Sequence, residues 1–182
     1  MNTTSNKTTW VMDTIHSDIQ FRIKHLLIST VTGQFNQFEG TIETEADDFD
    51  TSKAHFSADI NSISTNNEQR DAHLKNDDFF DAANFPKLSF ETEKTEKVDE
   101  NNYKIHGIFT LRGVSKKIIL DAELGGIVQD PWGNTRAGFS VNGKISRKDF
   151  GVSFGLADAG GVGLGDEVKM MVNAQFVKQK VA

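Results

Sequence analysis

Apolar and polar residues alternate with a period of two along most of this chain, and that pattern restricts it to half-buried β-strands. In Ile19-Gln20-Phe21-Arg22-Ile23-Lys24-His25 the odd positions are apolar or His and the even ones polar. The same rhythm carries Phe38, Gly40 and Ile42, then Phe56, Ala58 and Ile60, then Leu88, Phe90 and Thr92. It continues through Tyr103, Ile105, Gly107, Phe109 and Leu111, and through Ile118, Leu120, Ala122 and Leu124. Ala137, Phe139, Val141, Gly143 and Ile145 make a seventh face, and Val168, Met170, Val172, Ala174 and Phe176 an eighth. One wet face per strand fits antiparallel pairing. Turn chemistry separates several runs, at Asp99-Glu100-Asn101-Asn102, Arg112-Gly113 and Asp130-Pro131-Trp132-Gly133-Asn134. The expected fold class is all-β, eight antiparallel strands closed into a barrel; a two-sheet sandwich is the competing architecture.

One segment departs from the alternation. Thr65-Asn66-Asn67-Glu68 has the form of a capping box and predicts a short helix over about Glu68 to Lys75, after the third strand region. No repeat or linker divides the chain. A single barrel domain is expected over 10–177, with 1–9 disordered and 178–182 a frayed tail.

The inward faces pair large residues with very small ones: Phe38 with Gly40, Phe56 with Ala58, Phe109 with Gly107, Leu120 with Ala122, Val141 with Gly143. Small inward residues at mid-strand either leave a dry void, which is costly unless a ligand fills it, or let the strands bend and the opposite walls touch. The first reading makes an elongated apolar cavity. Its candidate wall is Phe21, Ile23, His25, Phe38, Ile42, Phe56 and Ile60 from the first three strands, with Leu74, Phe79 and Phe80 from the helical region. Phe90, Ile105, Phe109, Leu111, Leu120, Phe139, Val141, Met170 and Val172 complete it. No charged side chain falls on these faces, so the expected ligand is a long apolar molecule. A chain of about 40 carbons at about −0.3 kcal/mol per atom would reach on the order of −12 kcal/mol.

Composition supports this and removes alternatives. The 14 phenylalanines carry apolar surface with no polar handle. A formal net charge of −6 argues against a nucleic-acid partner. The absence of cysteine excludes disulfides, thiolate nucleophiles and thiolate zinc sites. No run is apolar and long enough for a transmembrane segment. As given, the chain reads as cytoplasmic; a trimmed mature form of a periplasmic protein would read the same. A hydrophobic lipid is the expected partner, and a homodimer through outer edges is the other partner the pattern allows.

Several blocks resemble the YceI-like family. They are Trp10-Val11-Met12-Asp13-Thr14-Ile15-His16-Ser17, Gly33-Gln34-Phe35, and Ser62-Ile63-Ser64-Thr65 followed by Arg70-Asp71-Ala72-His73-Leu74-Lys75. Asp78-Phe79-Phe80-Asp81, Phe85-Pro86, Gly107 to Lys116 and Ser146-Arg147-Lys148-Asp149-Phe150-Gly151 extend the likeness over about Trp10 to Phe176. The resemblance implies a lipocalin-like barrel that holds a polyisoprenoid, such as a polyprenyl diphosphate or an isoprenoid quinone, and implies roles in transport or stress response. It implies no catalytic residue and no required cofactor beyond a bound isoprenoid lipid or quinone.

The polar constellations allow both functional and bland readings. His25, Arg70, Asp71 and His73 are the head-group candidates, while the favoured reading of Arg70 and Asp71 is as ties between the helix and nearby strands and loops. An enzymatic alternative, a barrel hydrolase or isomerase, would use His25 with Asp71 and His73; a fatty-acid or fatty-amide carrier is a second alternative. No histidine pair has helical metal-ligand spacing, so no metal is expected. Asp13, His16 and Ser17 read as caps of a turn, because adjacent strand residues point to opposite faces and His16 cannot readily activate Ser17. Gly160-Gly161-x-Gly163-x-Gly165-Asp166 reads as a loop near a barrel end that could act as a lid.

Overall fold

The computed structural model describes residues 6–26, 28–152 and 163–180. Its strands are β1 (Lys7–Met12), β2 (Asp18–His25), β3 (Ser29–Phe35), β4 (Phe38–Glu45), β5 (Asp48–Asp59) and β6 (Ile63–Ser64). After the helix α1 (Glu68–Leu74) come β7 (Lys87–Lys97), β8 (Asn102–Leu111), β9 (Val114–Gln129), β10 (Thr135–Ser146) and β11 (Leu164–Lys178). All pairings are antiparallel. The sheet order is β1-β4-β5-β7-β8-β9-β10-β11-β2-β3-β6, and β11 also pairs with β1, which closes an eight-stranded ring.

The first three passes of the chain are each broken once, into β1/β2, β3/β4 and β5/β6. The breaks make the two ends of the barrel different. At one end the ring β1-β4-β5-β7-β8-β9-β10-β11 is hydrogen-bonded all the way round. Trp10 packs tilted against Phe49 there, at 5.0 Å, Phe49 meets Phe139 edge-on at 5.1 Å, and the Trp10 indole donates to the buried Thr44 hydroxyl. At the other end the sheet runs β7 to β11 and on through β2, β3 and β6. No pairing joins β6 to β7 among the described residues, and the chain between them forms α1.

Three expectations are corrected. Lys7, Thr8 and Thr9 are not disordered; they pair with Glu45, Thr44 and Glu43. Lys178 is not frayed: it pairs with Trp10 and its Nζ meets Asp47 at 2.7 Å. The Thr65–Glu68 capping box does not form. Asn67 is the N-cap, its Oδ1 accepting from the Arg70 N–H at 3.0 Å. The Thr65 hydroxyl is taken instead by Asp71 Oδ1, at 2.6 Å.

Candidate functional site

Three apolar chambers lie end to end inside the barrel. The mouth chamber, about 380 Å³, is lined by His25, Val31, Thr65, Arg70, His73 and Gly163. It shares Phe21, Ile23, Leu74, Phe79 and Leu164 with a middle chamber of about 130 Å³. That chamber shares Phe56, Phe90, Leu120, Val141 and Val172 with a far chamber of about 130 Å³, which ends on Met12, Phe49, Tyr103 and Phe176. From Leu164 to Phe176 along β11, at about 3.3 Å per residue and a strand tilt near 40°, the tunnel is roughly 30 Å long.

Most of the expected wall residues line a chamber. Ile42, Ile105 and Phe139 border the far one, and Phe80, Phe109, Leu111 and Met170 the middle one. Phe38 and Ile60 do not. Phe38 borders a polar outer groove, and Ile60 is buried in the one-turn helix Ile60–Ser62 that breaks the third pass.

The inward glycines do not themselves make the void. A Cβ at Gly107 would lie 2.5 Å from Phe90 Cζ and 2.4 Å from the Glu91 carbonyl oxygen, and one at Gly143 would lie 2.3 Å from Leu120 Cδ2. Each glycine is covered by the large side chain of the neighbouring strand. Phe90 and Leu120 therefore lie along the wall instead of pointing at the axis, and the lumen stays open.

Sequence reasoning missed the wall residues Phe49, Phe35, Val152 and above all Arg147. Arg147 corrects the expectation of an uncharged interior. It is buried, it borders the middle chamber, and its Nε donates to the Gly165 carbonyl at 2.7 Å. Its Nη1 donates to the Val152 carbonyl at 3.0 Å and its Nη2 to that of Leu164 at 3.1 Å. Burial pulls its pKa below the usual value, and the charge of Asp166 opposes this. In the far chamber burial pushes the Tyr103 phenol above its ordinary value, with Asp50 adding to the effect, so Tyr103 stays neutral.

Of the head-group candidates, His25, Arg70 and His73 share the mouth chamber and Asp71 does not line it. Asp71 Oδ1 accepts from the Thr65 N–H at 2.8 Å as well as from its hydroxyl. Arg70 holds the same residue, Nε to the Thr65 hydroxyl and Nη2 to its carbonyl, both at 2.7 Å. His73 Nε2 meets Asp78 Oδ2 at 2.9 Å and its ring packs edge-on against Phe79. The triad His25, Asp71 and His73 is thus not assembled. Nor is a Ser17 nucleophile. The Ser17 hydroxyl donates to the Asp13 carbonyl at 2.6 Å, while His16 Nδ1 meets Asp13 Oδ2 at 2.8 Å. No cluster of three metal-ligating side chains occurs among the described residues. Within the glycine-rich stretch, Gly160 and Gly161 lie outside the described residues; Gly165 and Leu164 cap the Arg147 guanidinium.

Asp13 also organises the closed end. Arg136 bridges it to Asp130, at 2.6 and 2.9 Å. The His16 imidazole first, then Arg136, hold the Asp13 carboxyl at about 2 against the opposing effect of burial; Arg136 holds Asp130 at about 2.

This geometry has relatives. The family model described as YceI-like domain matches residues 10–176. UPF0312 protein SA2479 of Staphylococcus aureus is 40% identical over 171 residues, covering 93% of this chain and 97% of that one. The crystal structure of the Campylobacter jejuni YCEI protein superposes with a TM-score of 0.74 at 34% identity, covering 86% of this chain and 90% of the other. A polyisoprenoid binding domain from Saccharophagus degradans shares the fold at 14% identity, with a TM-score of 0.70, covering 93% and 98%. With its model matched over nearly the whole barrel, the chain belongs to the YceI-like family.

Proposed function

We propose that this protein binds one long apolar amphiphile, an isoprenoid with a polar head, and performs no chemistry on it. The observation that carries this is the polarity of the tunnel. Three chambers in line have mostly apolar walls, with Gln20 and the carbonyl-capped Arg147 in the middle one and the uncharged Ser52, Thr92 and Tyr103 in the far one, while His25, Arg70 and His73 gather at the mouth. The tail would occupy the middle and far chambers, and the head would meet Arg70, His73 and His25. The Saccharophagus degradans domain, which shares the fold, is a polyisoprenoid binding domain, and this supports the ligand class.

The length gives the expected affinity. A tunnel of roughly 30 Å takes about 25 bonds of extended chain, by the rise of an extended polymer. At about −0.3 kcal/mol per heavy atom this is about −8 kcal/mol, a roughly micromolar complex, with the head contacts in addition. Organic extraction of the purified protein, followed by mass spectrometry, should recover a long-chain lipid in near-stoichiometric amount. A protein that comes out empty and then binds no long-chain amphiphile in titration refutes the proposal.

A further inference from the structure

The turn between β2 and β3 breaks the rule that loop tips are polar. His25 and Ser29 face each other in register, and the residues between them in sequence are Leu26, Leu27 and Ile28, of which Leu26 and Ile28 are described. Turns of this length ordinarily use Gly, Asn or Asp. Leu26 adopts φ 53°, a left-handed conformation for which glycine is far better suited. Ile28 is 85% exposed and Leu26 40%. Leu26 and Ile28 are each held by a main-chain bond all the same. The Leu26 N–H donates to the Gly163 carbonyl at 3.0 Å, and the Ile28 N–H to the His25 carbonyl at 3.2 Å. It is also the direct continuation of the two strands that carry Ile23, His25 and Val31 into the mouth wall.

We propose that this turn docks the mouth of the tunnel on a lipid bilayer, Leu26 and Ile28 entering the interface beside the opening. The inference rests on the lipid-binding reading above. A bilayer fits better than a second chain because the exposed aliphatics are continuous with a lining whose cargo would reside in membranes, and an amphiphile could then pass without crossing water. Charge does not do the docking. Around α1 both signs occur, Arg70, Lys75 and the Arg112 that reaches the Asp77 carbonyl with Glu68, Asp71, Asp77 and Asp78, and the whole chain carries −6. Attachment by apolar insertion should therefore be nearly insensitive to salt and should not require anionic lipid.

The two tryptophans make the test directional. Trp10 is buried at the closed end and Trp132 is 79% exposed in the β9–β10 turn at that same end, where Arg136 of β10 pairs with Val177 of β11 and Val177 in turn with Val11 of β1. The native protein should co-sediment with phosphatidylcholine vesicles without quenching of its tryptophans by brominated acyl chains. Ile28→Trp should be quenched, and Ile28→Asp should lower vesicle partitioning at least tenfold. Quenching of Trp132, unchanged partitioning of Ile28→Asp, or a dimer abolished by Ile28→Asp with no vesicle binding would each overturn the proposal. A fluorescent long-chain alcohol added from ethanol separates the two readings. Ile28→Asp should still take it up, whereas a native protein that fails to do so refutes the tunnel ligand, and vesicle partitioning is read independently.

Discussion

Replacing Gly143 by alanine should divide the tunnel at its waist. The added Cβ would sit 2.3 Å from Leu120 Cδ2, 3.7 Å from Leu120 Cγ and 3.5 Å from Met170 Cε. An unstrained carbon pair stands at about 3.5–4.0 Å, so only the tip of Leu120 is in serious conflict, and it must retreat by more than about 1 Å. The sheet blocks it outward. The open direction is toward the axis, and Leu120 borders both the middle and the far chamber. A ligand long enough to pass the waist would lose the part of its tail that lies beyond. Five withdrawn methylenes at about 0.8 kcal/mol each amount to about 4 kcal/mol, close to a thousandfold in Kd. An amphiphile short enough to stop in the middle chamber should lose little. Overpacking should cost the fold about 1–3 kcal/mol, a fall of a few degrees in Tm for a chain of this size. Titration calorimetry with a homologous series of chain lengths reads the effect, and adding Leu120→Ala should restore the long-chain affinity. An equal loss for short and long ligands, or none for either, would refute the assignment of the waist.

Removing the buried guanidinium in Arg147→Met should leave three carbonyl groups without their donors, at about 1–3 kcal/mol each if they stay buried. Thermal denaturation should show a large loss, and Arg147→Lys, which lacks the planar fork, should recover only part of it. Acid should loosen the closed end. The Asp13 and Asp130 carboxyls sit at about 2 in the fold against an ordinary 3.8, so their stabilisation is complete above pH about 4 and is lost as pH falls through about 2. Tm measured between pH 5 and 2 should fall less steeply in Arg136→Met than in the native protein. Asp71→Ala frees the Thr65 N–H and hydroxyl, and should raise the rate of lipid release measured by stopped-flow fluorescence while leaving Tm within a few degrees.

The faces of most strands were readable because a two-residue period is the direct imprint of a pleated wall with one wet side. The failures cluster where that period stops. Phe38 opens β4 just after the break at 36–37 and Ile60 opens the turn that ends β5; both keep the inward side, Phe38 packing on Phe56 at 6.5 Å and Ile60 buried in the core, but at the ends of their strands they reach no chamber. Phe49 sits on an odd position of a strand whose inward residues are Ala54, Phe56 and Ala58, because the pairing of β4 with β5 slips between Glu43 and Glu45. Arg147 could not be placed from its neighbours. It follows the last residue of β10, in a one-turn helix, and its partners are main-chain carbonyls, which leave no side-chain signature. Small inward residues pointed toward an open interior, but through a different mechanism. Gly107 lies under Phe90 and beside the Glu91 carbonyl, so a larger residue there meets main chain and tests folding, not ligand capacity.

The unequal ends of the barrel bear on how such a tunnel is loaded. The closed end is bound round its whole ring by main-chain hydrogen bonds and packed with Trp10, Phe49 and Phe139; opening it would break several of these contacts at once. The mouth end has a seam between β6 and β7 that no strand pairing closes among the described residues. The covering helix α1 is seven residues long, has no fully buried residue, and is tied down through Thr65 by Arg70 and Asp71. A helix that short contributes almost nothing by itself, so its position depends on those few polar bonds and on Leu74 and Phe79 at the chamber wall. Local opening follows the weakest set of contacts, and here that set borders the chamber where the polar groups gather. On the proposed function, a tail entering by this route would go in first and stop at the aromatic floor, leaving the head beside Arg70 and His73 without any group in the tunnel having to select its orientation.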